Sequence, residues 1–200
     1  MKLVLATRNL GKARELTEML SDTGIEVISL ERYPDAPEVV EDRDTYMENA
    51  VKKASVIAAH TSHLTLADDA GLEVAALGGA PGVHSKRWAG EEATDAERVE
   101  KLLALLEGVP NRAARFIAAI AVVPPSGDPE GVIGVCEGRI GEVPKGASGF
   151  GYDPVFVPDG YDRTFAELGE PIKNRISHRA KALTQAIALL QRYREQWTAE

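Results

Sequence analysis

Three stretches of the chain combine residue types that could bind phosphate, metal or a base. Six residues of the first stretch lie between a short apolar run and a segment of helical spacing: Thr7, Arg8, Asn9, Leu10, Gly11 and Lys12. A loop at the start of a helix directs free backbone N–H groups and the positive helix end into one small space, which favours an anion. The stretch lacks the glycine spacing of a Walker motif. It therefore fits either a phosphate loop or an ordinary turn with a polar cap.

Carboxylates mark the second stretch. Glu41 lies in an acidic loop, and Asp68 and Asp69 follow a short apolar run at 64–67. At the end of a strand in an α/β sheet, such side chains point to the crevice where ligands bind. Two carboxylates that leave room for phosphate oxygens suit Mg²⁺. The alternative is that Asp68 and Asp69 are only a turn and a helix cap.

The third stretch alternates glycines with aromatic residues and ends near a basic segment. In the run 149–154, Phe150 could stack on a flat ring and Asp153 could accept hydrogen bonds from it. Five potential cations follow within nine positions: Lys173, Arg175, His178, Arg179 and Lys181. They indicate either an anion-binding surface or the solvated start of a helix.

Periodicity and turn signals predict the elements that must position these residues. Strands are expected at 2–6, 25–30, 64–67, 115–123 and 131–143, and helices at 12–20, from a cap at Asp44 to 60, from Thr94 onwards, and at 177–197. Thr94 and Glu97 have the spacing of a capping box. The order of the elements predicts an α/β fold with a mixed, partly antiparallel sheet and flanking helices, in a single domain over 1–200.

Charge and composition exclude several classes of function. The 200 residues include 23 Lys and Arg against 31 Asp and Glu, a net charge of −8, which argues against nucleic acid or an anionic membrane as partner. Any bound phosphate must therefore meet a local cluster of cations or a metal. The one cysteine, Cys136, cannot close an intrachain disulfide and is expected to be buried. No apolar run reaches the roughly 20 residues that span a bilayer, so a cytoplasmic location is expected.

Together these segments resemble the inosine triphosphate pyrophosphatase family nearly end to end. Five motifs in one order support the resemblance: LATRNLGKARELTEML (5–20), EDRDTYMENAVKKA (41–54), LADDAGLEVAALGGAPGVHSKRWAG (66–90), GFGYDPVF (149–156) and ISHRAKAL (176–183). The resemblance implies two lobes around a central cleft and a homodimer. It also implies Mg²⁺-dependent hydrolysis of inosine, deoxyinosine and xanthosine triphosphates (ITP, dITP, XTP) to the monophosphate and pyrophosphate, which clears them from the nucleotide pool.

The resemblance also implies a role for each matching residue. The run from Thr7 to Lys12 would hold the triphosphate with help from Lys53, and Glu41 and Asp69 would bind Mg²⁺, with Asp69 also accepting a proton. The nucleotide would contact a further set of residues: Ala70, Phe150, Gly151, Tyr152, Asp153, Lys173, His178 and Arg179. Since a guanidinium only donates hydrogen bonds, Arg179 is expected to read the C6 carbonyl of the base and to reject adenine.

One departure from the family pattern keeps a second class of function open. Ala70 stands where the family usually has Ser, so one hydroxyl contact to the substrate is lost. The alternative to an enzyme is therefore a non-catalytic purine nucleotide-binding protein. A kinase is disfavoured, because the chain has no glycine-rich loop of a phosphotransferase type.

Overall fold

The structure is a computed structural model that describes residues 1–198, so the end of the predicted 1–200 domain lies outside the described residues. Six strands carry the described sheet: β1 (Lys2–Leu5), β2 (Glu26–Ser29), β3 (Leu64–Val74), β4 (Ala113–Val123), β5 (Glu130–Ile140) and β6 (Phe156–Pro158). Six α-helices accompany them: α1 (Leu10–Leu20), α2 (Tyr46–Thr61), α3 (Asp95–Leu105), α4 (Phe165–Leu168), α5 (Glu170–Ile176) and α6 (His178–Thr198). None of these helices combines the length and the apolar composition needed to cross a bilayer.

The strands form one sheet in the order β2-β1-β3-β4-β5-β6. Strand β1 is parallel to both of its neighbours, with Leu3 opposite Val27 on β2 and opposite Leu64 on β3. Strand β5 is antiparallel to β6, with Arg139 opposite Val157. The prediction of a mixed α/β sheet with flanking helices is therefore confirmed.

The described chain divides into two compact units, and the divisions fall within β3, β4, β5 and the start of α6. The first unit contains Met1–Asp69, Ala118–Gly134 and the described residues from Arg179 onwards. Its core joins β1 and β4 to helix α2. On α2 the spacing of Ala50, Ala54, Ile57 and Ala58 places all four side chains on one buried face, as the helical period predicts.

The second unit contains Ala70–Ile117 and Val135–His178. Its core is built around aromatic rings. The ring centre of Phe156 lies 4.6 Å from that of Phe116 and 5.3 Å from that of Phe165. Cys136 is buried in this core, as predicted. Helix α3 begins at the predicted capping box, in which Thr94 accepts from the Glu97 backbone and Glu97 accepts from Thr94.

Two predictions about element ends are wrong. The strand expected to end at 67 continues through Asp68 and Asp69 to Val74, because Lys12 and Arg179 pair with Asp68 and the Asn49 amide donates to Asp69. The cap of α2 is Thr45 and not Asp44, since the Thr45 hydroxyl accepts a hydrogen bond from the Glu48 backbone at 3.2 Å. The short elements β6, α4 and α5 were not predicted from the sequence.

Candidate functional site

The first unit groups charged side chains drawn from α1, the loop before α2, α2, β3 and α6, of which four are buried and three are partly buried. We call this group the charged cluster, and its members are Lys12, Glu15, Glu41, Lys53, Asp68, Asp69 and Arg179. Burying charge is costly unless it is paired, so such a group indicates a binding or catalytic site more often than a stabilising one.

The loop from Thr7 to Lys12 enters this cluster at the start of α1. Asn9 is the N-cap, and its side-chain oxygen accepts from the Lys12 backbone N–H at 3.1 Å. Thr7 supports Asn9 by accepting from its backbone N–H at 3.2 Å. Arg8 donates to the Ala36 carbonyl at 2.7 Å, and Leu10 is 71% exposed. The predicted polar cap is therefore present, and it sets the Lys12 ammonium inside the cluster.

Asp68 is held by two cations. The Lys12 ammonium lies 3.2 Å from Oδ1, and the Arg179 guanidinium donates to Oδ2 through Nε at 3.0 Å and through a terminal nitrogen at 2.9 Å. The other terminal nitrogen of Arg179 donates to Glu15 at 2.5 Å. Burial alone would raise the pKa of Asp68, but Lys12, Arg179 and Lys53 hold it well below its usual range. Asp68 is therefore a fixed negative charge.

The environment of Asp69 raises the pKa of its carboxyl group, whereas that of Asp68 lowers it. Its Oδ2 accepts a hydrogen bond from the side-chain amide of Asn49 at 3.1 Å. Burial raises the pKa of Asp69, and the neighbouring Glu41 carboxylate adds to the rise against the opposing effect of Lys12. A carboxylate whose pKa is raised binds a proton more readily, so Asp69 is better suited than Asp68 to accept one.

Glu41, in the loop before α2, forms an ion pair with Lys53 on α2. The two side chains are in direct hydrogen-bonding contact. Although burial would raise the pKa of Glu41, the contact with Lys53 holds it below its usual value. The same contact raises the pKa of Lys53 against the effect of burial. Both groups therefore carry their charges at neutral pH.

The second unit contains the 149–153 loop, which is organised around Asp153. Its Oδ2 accepts from the Phe150 backbone N–H at 2.9 Å and from the Lys173 ammonium at 2.5 Å. That ammonium also lies 4.4 Å from the centre of the Phe150 ring. Gly149 is required, because its φ is +81° and an added Cβ would lie 2.1 Å from Asp153 Oδ2.

Further contacts within this unit hold the loop in place. Tyr152 donates its hydroxyl to the Ser85 carbonyl at 3.0 Å, and the Gly151 backbone donates to Asp95 at 2.6 Å. His178 is buried with its ring stacked on Phe116 at 4.6 Å and an interplanar angle of 14°. The loop is therefore anchored to the rest of the second unit through Gly151 and Tyr152.

The structure thus separates the cations predicted at the end of the chain. Lys173, His178 and Arg179 are buried, so a solvated helix start does not describe them, whereas Arg175 and Lys181 are exposed. By the division of the chain, His178 belongs to the second unit and Arg179 to the first. Arg179 directs its donors to Asp68 and Glu15, a placement that the sequence did not predict.

Sequence reasoning missed three polar residues that the structure places against the predicted ones: Glu15, Asn49 and Asp95. Helical spacing contained a partial signal for two of them. Glu15 lies one turn after Lys12, and Asn49 lies four positions before Lys53, so each shares a helix face with a predicted residue. Their partners Arg179 and Asp69 are distant in sequence and carried no such signal.

The predicted metal pair remains a set of two carboxylates. Over the described part of the chain, no three His, Cys, Asp or Glu side chains are grouped so that they could hold a metal ion by themselves. Glu41 and Asp69 nevertheless repel each other, since Glu41 raises the pKa of Asp69. A hard cation between carboxylate oxygens would relieve that repulsion, so the residues fit Mg²⁺ if a substrate supplies further oxygens.

Known proteins match this chain in sequence and fold over nearly its whole length. The Ham1 family profile matches residues 3–189, and the chain belongs to this family. A Ham1 protein of known structure from Coxiella burnetii superposes with a TM-score of 0.87 at 42% identity, covering 96% of this chain and 99% of that one.

Relatives in the family carry a functional name. A protein named dITP/XTP pyrophosphatase from Desulforamulus reducens is 52% identical over 194 residues, which are 96% of each chain. One of the same name from Geobacillus kaustophilus is 50% identical over 187 residues, covering 92% of this chain and 91% of the relative. The resemblance to the inosine triphosphate pyrophosphatases found in the sequence is confirmed.

Proposed function

We propose that this protein hydrolyses non-standard purine nucleoside triphosphates, namely ITP, dITP and XTP, to the monophosphate and pyrophosphate. It would thereby clear them from the nucleotide pool. The observation that carries the proposal is the pair Asp68 and Asp69, whose pKa values are shifted in opposite directions within the charged cluster. Opposed shifts of neighbouring carboxylates are typical of acid–base catalysis. The relatives named dITP/XTP pyrophosphatase support the same reaction.

In this proposal the first unit holds the triphosphate. The start of α1 offers backbone N–H groups and the positive helix end, and Lys12 and Lys53 add two cations. Burial lowers the pKa of Lys12, although the Asp68 carboxylate acts to raise it. A bound triphosphate would add negative charge nearby and so favour the protonated, charged form of Lys12. These groups give a protein of net charge −8 a local site for an anion.

Glu41 and Asp69 would hold Mg²⁺. When bound, the ion would neutralise negative charge on the triphosphate and polarise its phosphorus–oxygen bonds. Asp69 would accept a proton from the attacking water, while Asp68 keeps Lys12 and Arg179 in place. Water adds to the α-phosphorus. The bond from that phosphorus to the oxygen bridging the α- and β-phosphates breaks, so the monophosphate forms and pyrophosphate leaves.

The second unit would supply the contacts to the base. Phe150 offers a ring face, and the backbone of 149–153 offers donors and acceptors beside Asp153. Lys173 donates to Asp153 and orients its carboxylate. His178 and the backbone N–H of Ala70 complete the proposed nucleotide contacts. Arg179 is buried against two carboxylates, and we assign it the role of holding Asp68.

Homodimer assembly, a cytoplasmic location and the absence of nucleic acid as partner belong to the same proposal. The homodimer rests on the resemblance alone, the location is the expectation drawn from the sequence, and the absence of nucleic acid as partner rests on the net charge of −8. Analytical ultracentrifugation of the purified protein tests the dimer, and electrophoretic mobility with duplex DNA and RNA tests the third.

One assay separates the enzyme from a non-catalytic nucleotide-binding protein. The purified chain is incubated with ITP, dITP, XTP, dATP and dGTP, with Mg²⁺ or with EDTA, and the products are separated by anion exchange. We expect pyrophosphate from the first three substrates with Mg²⁺ and none with EDTA. Tight binding of dITP without turnover would favour the binding protein.

A further inference from the structure

Asn49 hydrogen-bonds both to Asp69 and to the loop that carries Glu41. It lies on α2, it is 1% exposed, and its side-chain amide donates to Asp69 Oδ2 at 3.1 Å. The same side chain accepts from the Arg43 backbone N–H at 2.9 Å and donates to the Arg43 carbonyl at 3.4 Å. Arg43 lies two residues after Glu41 in the loop that precedes α2.

The contacts with Arg43 fix the orientation of the amide. A backbone N–H must be met by the side-chain oxygen, so the nitrogen of Asn49 faces the other way, towards Asp69. Its two hydrogens then serve the Arg43 carbonyl and the Asp69 carboxylate. A flipped amide would set oxygen against carboxylate oxygen, and it would lose both contacts to Arg43.

Helix α2 places Asn49 on the face that holds the Glu41 loop. Residues 49, 52 and 53 are neighbours on a helix surface because they are three and four positions apart. Lys52 donates to the Val40 carbonyl at 2.8 Å and to Asp42 at 2.7 Å, and Lys53 pairs with Glu41. Of these three side chains, Asn49 is the one with a hydrogen bond to Asp69.

We propose that Asn49 is a positioning residue that fixes Glu41 and Asp69 relative to each other for metal binding. It does so by joining the loop that carries Glu41 to the strand that carries Asp69. The inference rests on the proposed function, because it takes Glu41 and Asp69 as the carboxylates that hold Mg²⁺. Groups that orient metal ligands in this way are typically worth 10- to 100-fold in metal affinity or activity.

The test compares Asn49→Ala with Lys52→Ala. The control variant removes a contact to the same loop from the same helix face, and Lys52 has no hydrogen bond to Glu41 or Asp69 among the described contacts. The dissociation constant of Mg²⁺ from the substrate-free protein is measured by calorimetry. Pyrophosphate release from dITP is then followed against Mg²⁺ and against dITP.

We expect Asn49→Ala to weaken Mg²⁺ binding at least about tenfold and to lower kcat, with KM for dITP within about threefold of wild type at saturating Mg²⁺. Lys52→Ala should change metal affinity less than about threefold. Circular dichroism checks folding, and Asn49→Ser replaces Asn49→Ala if the latter does not fold. The hydroxyl of Asn49→Ser is too short for both contacts, so the same losses are expected.

Two results would overturn the inference. One is a folded Asn49→Ala or Asn49→Ser that binds Mg²⁺ as the wild type does. The other is an equal loss in Lys52→Ala, which would mean that anchoring the loop is sufficient. Failure of the proposed function gives a different result, since the wild-type protein would then release no pyrophosphate from dITP.

Discussion

Asp68 and Asp69 are adjacent in sequence, and their side chains have different partners because successive residues of a strand face opposite sides. Asp68 meets Lys12 and Arg179, while Asp69 meets Asn49. The environments differ enough to keep one carboxylate firmly ionised and to make the other more basic. Their positions in β3 therefore determine which of the two binds a proton more readily.

Asp69→Asn should lower the turnover of dITP by at least about a hundredfold, because the amide cannot accept the proton of the attacking water. The amide keeps the size of the side chain, so the midpoint of thermal unfolding should change little. Steady-state rates of pyrophosphate release at saturating Mg²⁺ measure the effect. A variant with nearly normal turnover would remove Asp69 from the role of base.

Arg179→Ala should destabilise the protein by about 3–5 kcal/mol, because it removes a buried cation that pairs with the buried carboxylates of both Asp68 and Glu15. Urea denaturation measures the loss, and Arg175→Ala on the exposed face of α5 is the matched control. The ratio of activity on ITP to activity on ATP should be preserved in any folded fraction. A ratio that shrinks would instead assign Arg179 to reading the base, as the sequence suggested.

Ala70→Ser restores the hydroxyl that the family usually has at this position. One neutral hydrogen bond is worth about 0.5–1.5 kcal/mol, so activity on dITP should be unchanged or rise by up to about tenfold. The comparison needs kcat/KM for both proteins at the same Mg²⁺ concentration. An increase of several hundredfold would indicate that the wild-type chain is chiefly a binding protein.

At the scale of elements, helix α2 both packs in the core and holds the loop that carries Glu41. Its apolar face packs in the core of the first unit, and another face presents Asn49, Lys52 and Lys53 to the loop of Glu41. A single helix thus anchors the loop while its own position is fixed by packing. Stability of the helix and geometry of the site are therefore coupled.

Thr45→Ala removes the N-cap of α2 and should cost about 1 kcal/mol of stability, since the hydroxyl accepts from the Glu48 backbone. Asp44→Ala tests the residue that the sequence predicted as the cap and should cost less. Chemical denaturation of both variants gives the comparison. If Asp44→Ala were the more destabilising change, the cap would be Asp44 after all.

Much of the element pattern could be predicted because it is local. The apolar run of β1, the buried face of α2 and the capping box of Thr94 and Glu97 each depend on residues within one element. The length of β3 could not be predicted, because two aspartates disfavour a strand unless distant cations compensate them. Lys12 and Arg179 supply that compensation from 56 and 111 positions away.

The same distinction applies to the candidate site. Residue types and the family resemblance indicated Glu41, Asp69 and Lys53. The contacts of Asn49 with Asp69 and of Asp95 with Gly151 join residues 20 and 56 positions apart. Such pairs follow from packing of elements and have no periodic signal, so only the structure reveals them.

At the scale of the whole molecule, a chain of net charge −8 concentrates cations where a triphosphate would need them. The first unit pairs Lys12, Lys53 and the buried Arg179 with carboxylates, and the second unit buries Lys173 with Asp153. This local grouping fits the proposed chemistry on a small nucleotide, and the net charge of −8 disfavours attraction to polyanions.

The most direct test is the identity of the phosphate product. Wild-type protein is incubated with dITP and Mg²⁺, and dIMP, dIDP, pyrophosphate and inorganic phosphate are quantified over time. The account predicts that dIMP and pyrophosphate form in equal amounts, with neither dIDP nor inorganic phosphate, and that dATP is consumed far more slowly. Formation of dIDP and inorganic phosphate, or no turnover of dITP, would contradict it.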